Sequence, residues 1–250
     1  MGFLSTTPKG HVAVVEIHRG PNNFFDEELL GEIAAELHRL GGDPAARAVV
    51  LCSEGKHFCA GADLRGIDAE GIRRVYRQAF AIFTARVPIV AAIQGAAVGG
   101  GLGLALAADF RVAGPNARFS ANFARLGFHH GFGLSVTLPD AVGQQAAAWL
   151  LYTGRRIAGE EAHALGLCDR LAATTEQIRA EALAMAVELA AAAPLSVRAI
   201  RATMRGTLPA RVREAVELER KEQDRLRRTG DFAEGVAASG ERREPRFKGS

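Results

Sequence analysis

The chain has 250 residues, of which 48% are apolar and 24% charged, which excludes global disorder. Lys plus Arg number 31 and Asp plus Glu 28, and the resulting charge of +3 is too small to argue for nucleic acid or a membrane surface as a partner. Aromatics are only 6%, so the core must be built from Ala, Val, Leu and Ile.

His11 to Ile17 alternates and is rich in Val, which predicts a strand. Gly20, Pro21, Asn22 and Asn23 break it. Asp26 is placed to cap a helix whose apolar positions, Leu29, Leu30, Ile33, Leu37 and Leu40, recur at helical spacing until Gly41 to Pro44. Ala48 to Cys52 is a short apolar strand, so strand, helix and strand predict a parallel crossover. A glycine-bearing loop covers Glu54 to Asp63, and a second helix runs from about Asp68 to Arg86. Asp68 and Glu70 read as helix-start acids.

Val87 to Ile93 is a buried strand. The apolar run continues to Ala108, but Pro88, Gln94 and the glycines at 95, 99, 100, 101 and 103 argue against a membrane span. The expected arrangement is strand, glycine turn, then a buried helix over Leu104 to Ala108. Phe110 to Ala113 and Arg118 to Ser120 read as short strands. Beyond Leu134 helical patterns dominate, over Gln144–Tyr152, Gly159–Leu165, Glu176–Ala193, Pro194–Arg205 and Pro209–Arg228. The heavily charged last of these reads as a solvated face or a subunit contact. A soft boundary near Pro194 divides a core, 1–193, from a helical region, 194–250.

Cys52, Cys59 and Cys168 form neither C-x-x-C nor an even set, so no disulfide framework or zinc site is expected. Met1 to Lys9 has neither the basic start nor the apolar run of a signal peptide, and a cytoplasmic location is expected. Two segments carry the chemistry: Phe58-Cys59-Ala60-Gly61-Ala62-Asp63-Leu64, and Gly95 through Val98-Gly99-Gly100-Gly101-Leu102-Gly103. Glycine lets backbone approach a ligand, and a helix N-terminus leaves N–H groups free for an anion or a developing oxyanion. A dinucleotide fingerprint fails for want of its third glycine. A P-loop fails because Val50 stands where its first glycine belongs.

The two segments at this separation resemble those of the crotonase (enoyl-CoA hydratase/isomerase) superfamily. The similarity continues through Ala107 to Ala113, Ala117 to Phe119, Leu151 to Ile157, Glu161 to Leu167 and Glu234 to Gly249. The resemblance implies an α/β fold, a crotonase-like spiral of β-β-α turns (the ClpP/crotonase type), with a C-terminal helical region that builds trimers or dimers of trimers. It implies an acyl-CoA thioester as substrate, with no separate cofactor. The thioester oxygen would be held by the N–H groups of Ala62 and Gly100. The adenine would lie along Ala60 to Leu64. Phosphates would meet Lys56 and, from a neighbouring subunit, Lys248, with Phe247 covering the adenine.

The chain departs from that pattern at the two glutamates with which hydratases of the family activate water. By motif position these are Gly103 and Phe123, and neither can move a proton. Simple hydration of a 2-enoyl-CoA is therefore not expected. His130, in Phe128-His129-His130-Gly131-Phe132-Gly133, is the best candidate for a titrating group. Packing or solvent exposure is the plainer reading of either histidine. Tyr76 either projects toward the acyl group or is a half-buried core tyrosine. Phe123, Phe128 and Phe132 would suit a bulky acyl pocket. Ser135, Asp140 and a histidine can be drawn as a triad, but nothing in the sequence sets its geometry. The competing function is a catalytically silent acyl-CoA binder or assembly subunit.

Overall fold

The computed structural model describes residues 2–63 and 69–250. The Val-rich segments form one sheet of strands in the order β1-β2-β3-β4-β6-β9: β1 (Leu4–Lys9), β2 (Val12–Ile17), β3 (Ala48–Ser53), β4 (Ile89–Ile93), β6 (Phe110–Ala113) and β9 (Arg170–Leu171). Strand β1 pairs antiparallel with β2, and every later pairing in this sheet is parallel, with Val12 opposite Ala48 and Val49 opposite Ile89. A smaller sheet joins β5 (Ala96–Val98), β7 (Arg118–Ser120) and β8 (Arg156–Ala158).

Strand residues alternate between two cores, as the period of two requires. Val49, Leu51, Ala91 and Ile93 face helices α1 (Glu27–Gly42), α2 (Ala69–Phe83) and α3 (Gly100–Ala107). Ala48, Val50, Cys52, Val90 and Ala92 face α7 (Ile178–Ala191), through Ile178, Ala182, Met185 and Ala186. Helix α1 begins as its sequence predicts: the Asp26 carboxylate accepts the N–H of Leu29 at 3.0 Å, and the five apolar positions are buried.

Helix α3 starts at Gly100, four residues before the expected point. Glycine is a poor helix former, but here close packing overrides propensity. A Cβ on Gly101 would collide with the Cys59 carbonyl, and one on Gly100 with the Phe25 ring. Strands β1, β5, β8 and β9 are additions to the predicted elements, as are two helices. Helix α4 (Leu134–Val142) precedes α5 (Gln144–Thr153), and α10 (Gly230–Glu241) follows α9 (Leu208–Leu226). Helix α8 (Pro194–Arg205) is held to the sheet by ion pairs: the largely buried Asp109 carboxylate accepts from Arg201 at 2.9 Å, Arg205 at 3.0 Å and the Ile89 N–H at 2.8 Å.

Charged α9 is not simply a solvated face. It packs on α2 and α4 and buries Val212, Val216, Glu219 and Gln223. These four recur at intervals of four, three and four, which is one helical stripe. Among the described residues no single helix is long and apolar enough to cross a membrane.

Candidate active site

The loop after β3 runs beside β5 as an extra strand. Cys59 donates its N–H to Ala96 at 2.9 Å, and Val98 returns one to Cys59 at 3.1 Å. Phe25 brackets Ala62 from the other side: its N–H donates to Gly61 at 3.0 Å and its carbonyl accepts from Asp63 at 2.7 Å. That ladder uses the neighbours of Ala62 and not its own N–H. Gly99 donates to Ser120 at 2.8 Å, and Gly100 is the first residue of α3, where an N–H has no intrahelical acceptor. Among the described residues, neither the Ala62 nor the Gly100 N–H donates to a protein group. Positive φ at Gly61 (123°) and Gly99 (58°) makes both turns. A Cβ on Gly61 would lie 3.4 Å from the Val98 carbonyl oxygen, so the two turns sit against one another.

Behind this pair, Gly103 is buried. A Cβ there would lie 2.5 Å from Phe132 Cβ and 2.6 Å from its Cγ. Phe132 is held at φ 63°, only 2% exposed, with its ring 5.6 Å from Phe25 and 6.2 Å from Phe83 between centroids. The space beside residue 103 is therefore hydrocarbon. Phe123 is half-buried, and its Cζ is 3.7 Å from where a Cβ on Gly99 would stand. No carboxylate enters from either motif position.

His130 comes next along this wall, its ring 6.5 Å from that of Phe123 and stacked 4.1 Å from His129. Its Nε2 is 2.8 Å from Ser135 Oγ and 4.0 Å from Glu219 Oε1. Burial, and then the neighbouring His129, push the His130 pKa down to about 3. Glu219 is fully buried and accepts the N–H groups of Gly133 and Ser135, both at 2.9 Å. It thereby caps α4, whose own N-cap residue, Gly133, has no side chain to do so. Burial raises the Glu219 pKa above the ordinary value, against the pull of those donors.

One turn along α9, Gln223 accepts from the Tyr76 hydroxyl at 2.7 Å and donates to the His129 carbonyl at 2.9 Å. Tyr76 is thus committed to the 129–133 loop, and burial raises its pKa. The sequence reading missed Glu219 and Gln223. Their only signal was the stripe they share with Val212 and Val216.

The remaining expected site residues divide. Ala60 is half-buried beside the first turn and donates to the Asn22 carbonyl at 2.9 Å. Lys56 is exposed and lines a cavity of about 490 Å3 with Arg118, Asn116 and Thr175. Phe128 packs on Phe232 at 5.0 Å and under Arg227, and shares a cavity of about 390 Å3 with Phe247. The Lys248 N–H donates to Asp231 at 2.7 Å. Leu64 and Asp68 lie outside the described residues. Two expectations need correction. The three phenylalanines do not share one wall, because Phe132 is in the core and Phe128 faces α10. The drawn triad fails at Asp140, whose carboxylate is held by Arg211 at 2.9 Å, although Ser135 does meet a histidine. Cys59 is buried, and its thiol pKa is pushed up to about 12, which leaves it unreactive at neutral pH.

The parallel sheet thus carries two glycine turns packed against one another, each with one backbone N–H that has no protein acceptor among the described residues. Comparison with known proteins gives the family. The profile of the enoyl-CoA hydratase/isomerase family matches residues 7–250, and the chain belongs to that family. A Thermus thermophilus protein carrying an enoyl-CoA hydratase name is 38% identical over 250 residues, covering 96% of this chain and 98% of its own. An enoyl-CoA isomerase/hydratase of Zymoseptoria tritici is 34% identical over 96% of this chain and 84% of its own. The crystal structure of an enoyl-CoA hydratase/isomerase from Pseudoalteromonas atlantica superposes with a TM-score of 0.89 at 34% identity, covering 98% of this chain and all of that one.

Proposed function

We propose that the protein is an enzyme acting on an acyl-CoA thioester, whose carbonyl oxygen accepts hydrogen bonds from the N–H groups of Ala62 and Gly100. The oxygen gains negative charge as an enolate or tetrahedral intermediate forms, and fixed donors stabilise that charge without reorganising. The single observation behind this reading is that both N–H groups are left without a protein acceptor while their neighbours' are used.

The reaction is not simple hydration. Water addition needs one group to take a proton from water and another to give one to carbon. Gly103 and Phe123 supply neither, and Phe132 fills the space beside the first. Decarboxylation, carbon–carbon cleavage, a double-bond shift and thioester hydrolysis need less proton machinery, and His130 is the group nearest at hand to serve them. Phe123 beside Gly99 would border the acyl group. Lys56, Lys248 and Phe247 would contact the CoA moiety in an assembled trimer. Exposed Trp149 and Tyr152 on α5, with Leu195, Ile200 and Met204 on α8, offer apolar surface for that assembly.

A mass-spectrometric screen of acyl-CoA thioesters against the purified protein tests the reading. Product from at least one thioester, with crotonyl-CoA left unhydrated, is the expected result. Crotonyl-CoA hydration at the rates of ordinary hydratases would defeat it. Tight thioester binding with no product across the panel would favour the silent binder. The hydrogen-bonded His130–Ser135 pair beside a buried carboxylate favours the enzyme.

A further inference from the structure

Three groups from three parts of the chain meet beside Phe123, whose ring lies next to the Gly99 turn: His130 from the loop, Ser135 from α4 and Glu219 from α9. His130 Nε2 lies 2.8 Å from Ser135 Oγ and 4.0 Å from Glu219 Oε1, and that same carboxylate oxygen accepts the Ser135 N–H at 2.9 Å, which brings the serine and the carboxylate together. Glu219 is withdrawn from water, so its route to the reacting atoms passes through the serine. Other groups complete the surroundings. His129 stacks on His130, and Tyr76 of α2 reaches the same loop through Gln223, with Asp224 and Arg227 of α9 acting on Tyr76 at longer range.

We propose that Glu219, Ser135 and His130 form a proton relay that supplies, from α9, the carboxylate function absent at positions 103 and 123. This rests on the acyl-CoA reading above. In the relay, His130 carries its proton on Nε2 and donates it to Ser135 Oγ, and the serine donates to Glu219. A base is then available at Nδ1, which makes no hydrogen bond among the described residues.

The proton leaving the carbon next to the thioester arrives at His130 Nδ1. The Nε2 proton passes to Ser135 Oγ, and the serine's own proton passes to a Glu219 oxygen. One C–H, one N–H and one O–H break, and one N–H and two O–H form. The negative charge moves from Glu219 to the enolate oxygen between Ala62 and Gly100. Neutral His130 suits this, since an imidazole that resists protonation passes a proton on rather than keeping it. His130 is the catalytic residue of the relay, and Ser135 and Glu219 are positioning residues that act through it.

Two measurements on the full chain test the relay. The first is the nitrogen NMR spectrum of histidine-labelled protein, assigned by His130→Asn. It should show His130 as the Nε2–H tautomer in the wild type and a changed tautomer balance in Ser135→Ala. An Nδ1–H tautomer in the wild type would overturn the proposal. The second is deuterium uptake from heavy water into the carbon next to the thioester of butyryl-, octanoyl- and phenylacetyl-CoA, followed by mass spectrometry. Ser135→Ala should slow exchange by roughly 100-fold and leave the half-saturating concentration within about twofold.

Ser135→Ala keeps both backbone donors to Glu219, so it leaves the α4 cap intact even if Glu219→Gln fails to fold. Exchange at the wild-type rate in Ser135→Ala would overturn the relay, as would a wild type that binds these thioesters without exchanging them. Calorimetry separates the two levels. A protein that binds none of the three thioesters defeats the acyl-CoA reading itself, and the relay with it.

Discussion

Phe132 occupies the volume that any side chain on Gly103 would need. The two residues are 29 positions apart, yet a Cβ on the glycine would lie 2.5 Å from that of the phenylalanine. Each makes sense only with the other. The glycine admits a ring into the core, and the ring closes the space in which a carboxylate would have to stand.

Gly103→Ala should therefore cost about 1–3 kcal/mol by overpacking, and Gly103→Glu more. In combination with Phe132→Gly the costs should not add, because the second change opens the space that the first requires. Urea unfolding of the two single variants and the double measures the coupling. Strict additivity would mean that the two side chains do not compete. Gly103→Glu alone should not create crotonyl-CoA hydration.

Proline at 62 removes one hydrogen-bond donor and spares the ladder with Phe25, which uses the flanking peptide groups and not the Ala62 N–H. Ala62→Pro should lower kcat by roughly 100- to 1,000-fold on whichever thioester the screen finds. Calorimetric affinity for CoA itself should hardly move. Unchanged turnover would remove Ala62 from the site.

Asp109 is the shared partner of two largely buried guanidinium groups, so its loss strands both. Asp109→Asn should cost about 3–5 kcal/mol, read as a shift in the denaturation midpoint at unchanged slope. A change below about 1 kcal/mol would place these pairs with ordinary surface ion pairs.

His130 has a folded-state pKa of about 3 against an ordinary 6.5, so the unfolded chain binds more protons between those values. Its contribution to stability is complete above pH 6.5 and is lost as pH falls through that window, by up to about 1.4 kcal/mol per pH unit. Glu219 acts with the opposite sign: its raised pKa makes stability fall as pH rises from the ordinary carboxylate range through the folded value. Urea midpoints at several pH values between 4.5 and 7.5 should therefore show a flatter acid limb in His130→Gln than in the wild type. Parallel curves would mean that His130 titrates normally.

Much of the architecture was legible in residue order. The Val-rich strands announce themselves by composition, and Asp26 followed by five apolar positions at helical spacing announces α1. The amide-bearing turns were legible too, because glycines clustered after a strand mark a backbone that turns sharply and leaves its N–H groups uncovered. What escaped depended on partners distant in the chain. The start of α3 was missed because glycine's cost in a helix is offset by contacts with Phe25 and Cys59, which no local pattern reveals. Glu219 and Gln223 escaped because a buried polar side chain satisfied by hydrogen bonds looks, in sequence, like a solvated one. A triad of Ser135, Asp140 and a histidine can be drawn from the residue types, but nothing in residue order shows that Arg211 holds that aspartate.

The grip of α9 on the 129–135 loop also sets the order in which the molecule can be completed during synthesis. A nascent chain that has reached Asp140 already contains both glycine turns, but the donors of Gly133 and Ser135 wait for residue 219, and the carbonyl of His129 waits for residue 223. Domains acquire their structure as the ribosome delivers them. This pocket can settle only after residue 223 has emerged, so a translation product truncated before it would carry the turns without the α9 contacts that hold the loop.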